Sequence, residues 1–152
     1  MNGAGVSSSP LPAIGEMFDC LVHATGQGRT ARTVEWFGWL CLLEGIALMF
    51  APRMVAALLQ IQLTADQAVD WFRIIGLLAS GVGMLYVVSG RVNSHGFAFA
   101  SLLDRPLVPP IMAILWYLGI VPASLAIVFS VQDFSGFLWT LSAWREEERH
   151  SA

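Results

Sequence analysis

The chain contains no lysine: all eight basic residues are arginines, and charged residues make up only 12% of its 152 positions. So little charge excludes an ordinary soluble domain, in which about 25% of residues are charged. The net charge of −3 and a pI near 5.5 exclude a nucleic-acid binder, which needs a basic face. The two cysteines, Cys20 and Cys41, form no disulfide framework; Cys41 lies in an apolar run and is expected to be free and inert. The sequence has no HExxH, no CxxC, no G-x-S-x-G and no phosphate-cradling glycine loop. Its three histidines, His23, His95 and His150, are far apart and outside the expected spans, so no metal site and no cofactor is expected. The N-terminal residues lack a basic stretch followed by a short apolar core and cleavage site, so no secretory signal is expected.

What the chain has in abundance is apolar residues: 56% of positions, with a mean hydropathy of +0.65. They come in long blocks, the pattern of membrane spans and not of a dispersed core. The length fits one domain. The expected fold is therefore all-α, an integral membrane four-helix bundle with a short N-terminal amphipathic helix. The central span is Trp71 to Arg91, WFRIIGLLASGVGMLYVVSGR. Helices in lipid associate largely by close packing over small residues. Gly76 with Ser80, and Ala79 with Gly83, form small-xxx-small pairs suited to that role.

Taken in order, residues 1–33 form an N-terminal segment, small and polar over 1–10 and expected to be disordered there. Over 11–23, Leu11, Ile14, Met17, Phe18, Leu21 and Val22 fall on one helical face, and Glu16, Asp19 and His23 on the other. That helix either lies against the bundle or the interface, or binds a partner. Residues 34–144 carry four spans, about 34–51, 65–90, 96–120 and 123–144. Thr64 and Gln67 resemble a capping box before the second. Prolines 106, 109 and 110 split the third span into a short piece before Asp104 and a main piece from about Leu107. Residues 145–152 are a charged, solvated tail. Four spans put both termini on one side, and the arginine excess there (Arg29, Arg32, Arg91, Arg105, Arg145, Arg149, against Arg53 and Arg73) makes that side cytoplasmic, N-in and C-in.

Ionisable residues inside spans are costly and are usually paired, inward-facing or functional. Glu44, Arg73 and Asp133 have depths that allow one buried polar cluster able to grip a ligand's polar group or carry a proton. Alternatively, Arg73 snorkels and pairs with Asp70, while Glu44 and Asp133 stay neutral within the bundle. Asp104 and Arg105, with Arg91, read as a helix-start anchor at the cytoplasmic boundary or as a mouth for an anionic ligand. The tryptophans read as interfacial belts.

Arg73, Gly76, Gly83, Tyr86, Arg91 and Arg105, within WFRIIGLLASGVGMLYVVSGR and the following RPLVPP, resemble the DoxX-like group of small four-helix membrane proteins. The resemblance covers about the central half of the chain; the prolines after Arg105 and the N-terminal segment depart from it. It implies four transmembrane helices in a bacterial inner membrane. Some members are linked to quinone-coupled sulfur oxidation or redox-stress complexes, and no catalytic residue set transfers. The expected function is that of an accessory or assembly subunit contacting another membrane protein or a second copy; the alternatives are, first, a binder or carrier of a small lipophilic ligand such as a quinone or lipid and, second, an intramembrane isomerase using Glu44 and Asp133. A cavity between spans one, two and four lined by Glu44, Arg73 and Asp133 favours the last two, and a tightly filled bundle with an exposed apolar face favours the first. Membrane lipid is the common partner in all three.

Overall fold

The computed structural model describes residues 13–24 and 26–151, Ser151 by its backbone alone. The segment 1–10 expected to be disordered lies outside the described residues. The described chain is helical and has no strand: α1 (Ile14–His23), α2 (Arg29–Phe50), α3 (Pro52–Leu58), α4 (Asp66–Arg91), α5 (His95–Asp104), a 3-10 turn (Arg105–Leu107), α6 (Val108–Tyr117) and α7 (Ala123–Ser151). Four stretches are long and apolar enough to cross a membrane: Arg29–Phe50, Asp66–Arg91, His95–Tyr117 and Ala123–His150. The third joins α5, the 3-10 turn and α6 into one broken span. This is the architecture of a small multi-pass membrane protein.

The most extensive interface is α2 against α4, and glycine makes it. A Cβ on Gly38 would lie 2.5 Å from the Val87 nitrogen, and one on Gly76 2.6 Å from the Gly45 oxygen. A Cβ on Gly83 would meet the Gly38 oxygen at 2.8 Å, and one on Gly90 the Ala31 oxygen at 2.7 Å. Gly76, Gly83 and Gly90 recur every seven residues, as do Ala31, Gly38 and Gly45. A seven-residue repeat keeps one seam facing the partner along the whole length of two gently supercoiled helices. Ser80 shares the seam opposite Gly45, whereas Gly81 has open space around it.

The third span breaks where the sequence dictates. Pro106 occupies the 3-10 turn and Pro109 and Pro110 fall in the first turn of α6. Each removes a backbone donor that a continuous helix would use. Ser94 caps the start of α5, its hydroxyl accepting from the Phe97 amide at 3.4 Å. The capping box expected at Thr64 does not form: Ala65 occupies the cap of α4 and no side chain accepts there. Asp66 falls in the first turn of α4, where its charge complements the helix dipole, and it also pairs with Arg53 of α3 at 3.2 Å.

One end of the bundle is a polar belt. Glu147 of α7 accepts from the Thr30 amide at 3.1 Å and the Thr30 hydroxyl at 2.7 Å, satisfying a first-turn donor of α2 that has no partner in its own helix. Arg29 pairs with Glu146 at 2.7 Å. These contacts explain two departures from the sequence reading. α2 begins at Arg29, not after Thr33, and the charged tail continues α7 as helix. Arg91 ties α1 to this end: its Nε pairs with Glu35 at 2.8 Å and its Nη1 donates to the Leu21 carbonyl at 2.7 Å. Ile14, Phe18 and Val22 of α1 remain exposed.

Candidate functional site

The break in the third span turns one side chain inward. Arg105 is 0% exposed, in a core built from Val34, Phe37, Tyr86 and Ala98. Its guanidinium carbon sits 3.8 Å above the Phe37 ring centroid and 5.1 Å from that of Tyr86. The Tyr86 ring in turn meets Phe97 edge-on at 4.8 Å. Aromatic faces attract a cation and replace part of its lost hydration. By residue count at 1.5 Å per residue, Phe37 lies ~12 Å in from the start of α2 and Tyr86 ~8 Å in from the end of α4. The charge is therefore held two turns or so inside the bundle.

Arg105 Nη1 donates to the Thr140 hydroxyl at 3.0 Å. The Thr140 and Thr33 hydroxyls are 3.0 Å apart, and the Thr33 hydroxyl lies 2.7 Å from the Thr30 carbonyl. A hydroxyl has one proton to give. With Thr33 donating to the Thr30 carbonyl, Thr140 donates to Thr33 and accepts from the guanidinium, so the four groups form one directed chain. Arg105 Nε and Nη2 have no hydrogen-bond partner among the described residues. The Tyr86 hydroxyl lies close enough to the guanidinium to interact with it through both charge and hydrogen bonding, although Nε and Nη2 have no partner at ordinary hydrogen-bond geometry. Unmade bonds from a buried cation are expensive.

One carboxyl, Asp133, lies near this cation without bonding it. Glu44 accepts from the Gln132 amide at 2.8 Å, and the same amide contacts the Cys41 sulfur at 3.9 Å. Asp133 is half-buried and lies in the electrostatic field of Arg105, Asp104 and Glu44. Asp104 is exposed on the outer face of the third span, between Leu103 and Leu107. The structure thus brings Glu44 and Asp133 into one neighbourhood and leaves Arg73 out of it. Arg73 is exposed and pairs with Asp70 at 3.2 Å, the arrangement expected of a snorkelling side chain.

Arg91 and Arg105 do not form a shared mouth. Arg91 lies at the bundle end, occupied by Glu35, the Leu21 carbonyl and the Trp39 ring. Arg105 is a core residue and not a boundary anchor. The prolines after it stop the helix and redirect its side chain, a consequence that counting residues along a span does not reveal.

A groove of about 340 Å³ runs between α2 and α7, lined by Trp36, Phe37, Leu40, Gln132, Ser135, Gly136 and Trp139. Its floor is the screen in front of Arg105. A Cβ on Gly136 would stand 2.8 Å from the Phe37 ring and 3.1 Å from Arg105 Nη1. The groove thus comes closest to the guanidinium at Gly136 and the Phe37 ring, on the Nη1 side. A second, more open pocket of about 500 Å³ lies in the polar belt, among Gln27, Arg29, His95, Glu146, Glu147 and His150. Among the described residues no group of His, Cys, Asp or Glu is placed to hold a metal.

Sequence reasoning missed Thr33, Thr140 and Gly136. Each is a small residue in an apolar span, and only their convergence on a buried charge gives them meaning. Compared with family models, curated proteins and solved structures, the chain matches none.

Proposed function

We propose that this protein binds a small lipophilic molecule from within the membrane and holds its polar head at the Arg105 cluster. The supporting observation is a fully buried guanidinium with two free donor atoms, Nε and Nη2, set behind the floor of an apolar groove between two spans. Ligand sites in bundles are built this way, as apolar walls with a few converging polar groups. The arginine-rich end with Arg29, Arg32, Arg91, Arg145 and Arg149, against Arg53 and Arg73 at the other, supports an N-in, C-in placement in a bacterial inner membrane. Membership of the DoxX-like group belongs to the same proposal; Tyr86 and Arg105, both in the shared pattern, meet in one core. Purification in mild detergent followed by native mass spectrometry tests the reading. A defined small molecule in stoichiometric amount is the expected result.

A second reading, an accessory subunit of a larger complex, draws on one observation. Asp104 is an exposed carboxyl on an apolar face, flanked by Leu103 and Leu107, and such a group in hydrocarbon calls for a partner. A stoichiometric protein in the same spectrum would favour that reading.

A further inference from the structure

We infer that the molecule held at Arg105 is an amphiphile with an oxyanion head, a carboxylate or a phosphate on an acyl chain, that enters sideways from the bilayer through the α2–α7 groove. The inference rests on the lipophile-binding reading and specifies its ligand. It starts from which guanidinium atoms are free. Nη1 is engaged by Thr140, while Nε and Nη2 are not engaged. Nε and Nη2 lie side by side on the edge of the guanidinium facing away from Cδ. That edge presents two parallel N–H groups, the fork that matches two oxygens of a carboxylate or phosphate. A lone carbonyl oxygen would satisfy one donor and leave the other buried and unmade; an oxyanion satisfies both.

The neighbouring carboxyls do not fill this role. Glu44 is held by the Gln132 amide, and Asp104 faces outward. Asp133 acts on Arg105 through space and makes no hydrogen bond to it. Asp133 is the internal competitor for the fork, so its charge opposes the ligand. The groove supplies the chain's place. Trp36, Leu40 and Trp139 wall it, and its volume of about 340 Å³ fits part of one acyl chain, the rest running into lipid. Gly136 is the threshold, because any side chain there meets both Phe37 and Nη1.

Because Trp36 and Trp139 flank the groove, tryptophan fluorescence quenching reads occupancy. The full-length protein is placed in phosphatidylcholine nanodiscs and titrated with brominated stearate, its methyl ester, and brominated phosphatidic acid. Saturable quenching is expected at a mole fraction at least tenfold lower for an acid than for the ester. Preference for stearate assigns a free fatty acid, and preference for phosphatidic acid assigns a lipid phosphate; either supports the inference. Arg105→Lys, which keeps the charge and loses the fork, and Gly136→Ala, which closes the threshold, are each expected to erase the preference. Asp133→Asn is expected to sharpen it severalfold. Helicity and monodispersity identify any variant that fails to fold, and the remaining variants then decide. Equal saturable quenching by acid and ester overturns the oxyanion head and leaves the lipophile-binding reading standing. No saturable quenching by any probe also overturns it; native mass spectrometry then tells whether some neutral molecule is bound or whether the broader reading falls too.

Discussion

At the scale of the residue, Arg105 is costly to bury. On insertion scales an arginine at the centre of a span costs ~2.5–3.5 kcal/mol. Here its compensation is one hydroxyl and two aromatic faces. Buried charges are commonly neutral or harmful to stability relative to apolar replacements of similar volume. Arg105→Met is therefore expected to leave the ligand-free protein at least as stable as wild type, by thermal unfolding in detergent. Thr140→Val is expected to destabilise by ~1–3 kcal/mol, because it removes the one hydrogen-bond acceptor of a buried cation; Thr140→Ser should retain most of the stability. A loss with Arg105→Met as large as that with Thr140→Val would mean the guanidinium serves the fold.

The Arg105 site was only partly legible at this scale. Glu44 and Asp133 stand out in any hydropathy scan and do share a neighbourhood. Arg73 stands out equally, yet about two turns into its helix it stays exposed and pairs with Asp70. Arg105 is beside an acid and a proline, which is also how a span boundary looks. Its depth follows from the whole His95–Tyr117 stretch being a single broken span, a tertiary fact.

At the scale of the element, the α2–α4 seam tests how far glycine spacing sets the packing. Gly83→Ala would press a methyl against the Leu42 backbone and the Gly38 oxygen at 2.8 Å. It is expected to cost at least ~2 kcal/mol through displaced helices. Gly81→Ala, two residues away with nothing within 4 Å, is expected to be neutral or to gain ~0.5–1 kcal/mol in helix propensity. Opposite signs in the two melting shifts support the seam, and equal effects would contradict it. Gly76 and Gly83 could be named from the chain because they sit in an obvious span. Their partners Gly38 and Gly45 were hidden among tryptophans and Glu44, although the shared seven-residue period was there to be found. A four-residue spacing points to Ala79; the seam alternates four and three, through 76, 80, 83, 87 and 90, and passes it by.

At the scale of the whole molecule, the polar belt decides how the ends are joined. α1 has no buried residue, and its described hydrogen-bonded tie to the bundle is Arg91 Nη1 to the Leu21 carbonyl. Arg91→Ala is expected to raise amide hydrogen exchange across 14–23 at least tenfold while leaving α2 and α4 protected, since a weakly held element opens locally. Unchanged exchange would mean that lipid contact through Ile14, Phe18 and Val22 holds α1 instead. The amphipathic pattern of that helix was plain in the sequence; its attachment through Arg91 was not, because Arg91 also looks like any arginine closing a span.

The central claim is that the bundle keeps a buried arginine in order to hold a ligand. The measurement that reaches it most directly is native mass spectrometry of wild type and Arg105→Met, purified side by side from the same membranes. Wild type is expected to carry one defined small molecule, and Arg105→Met to be folded, monodisperse and empty. Two empty proteins, or two carrying the same molecule equally, would contradict it.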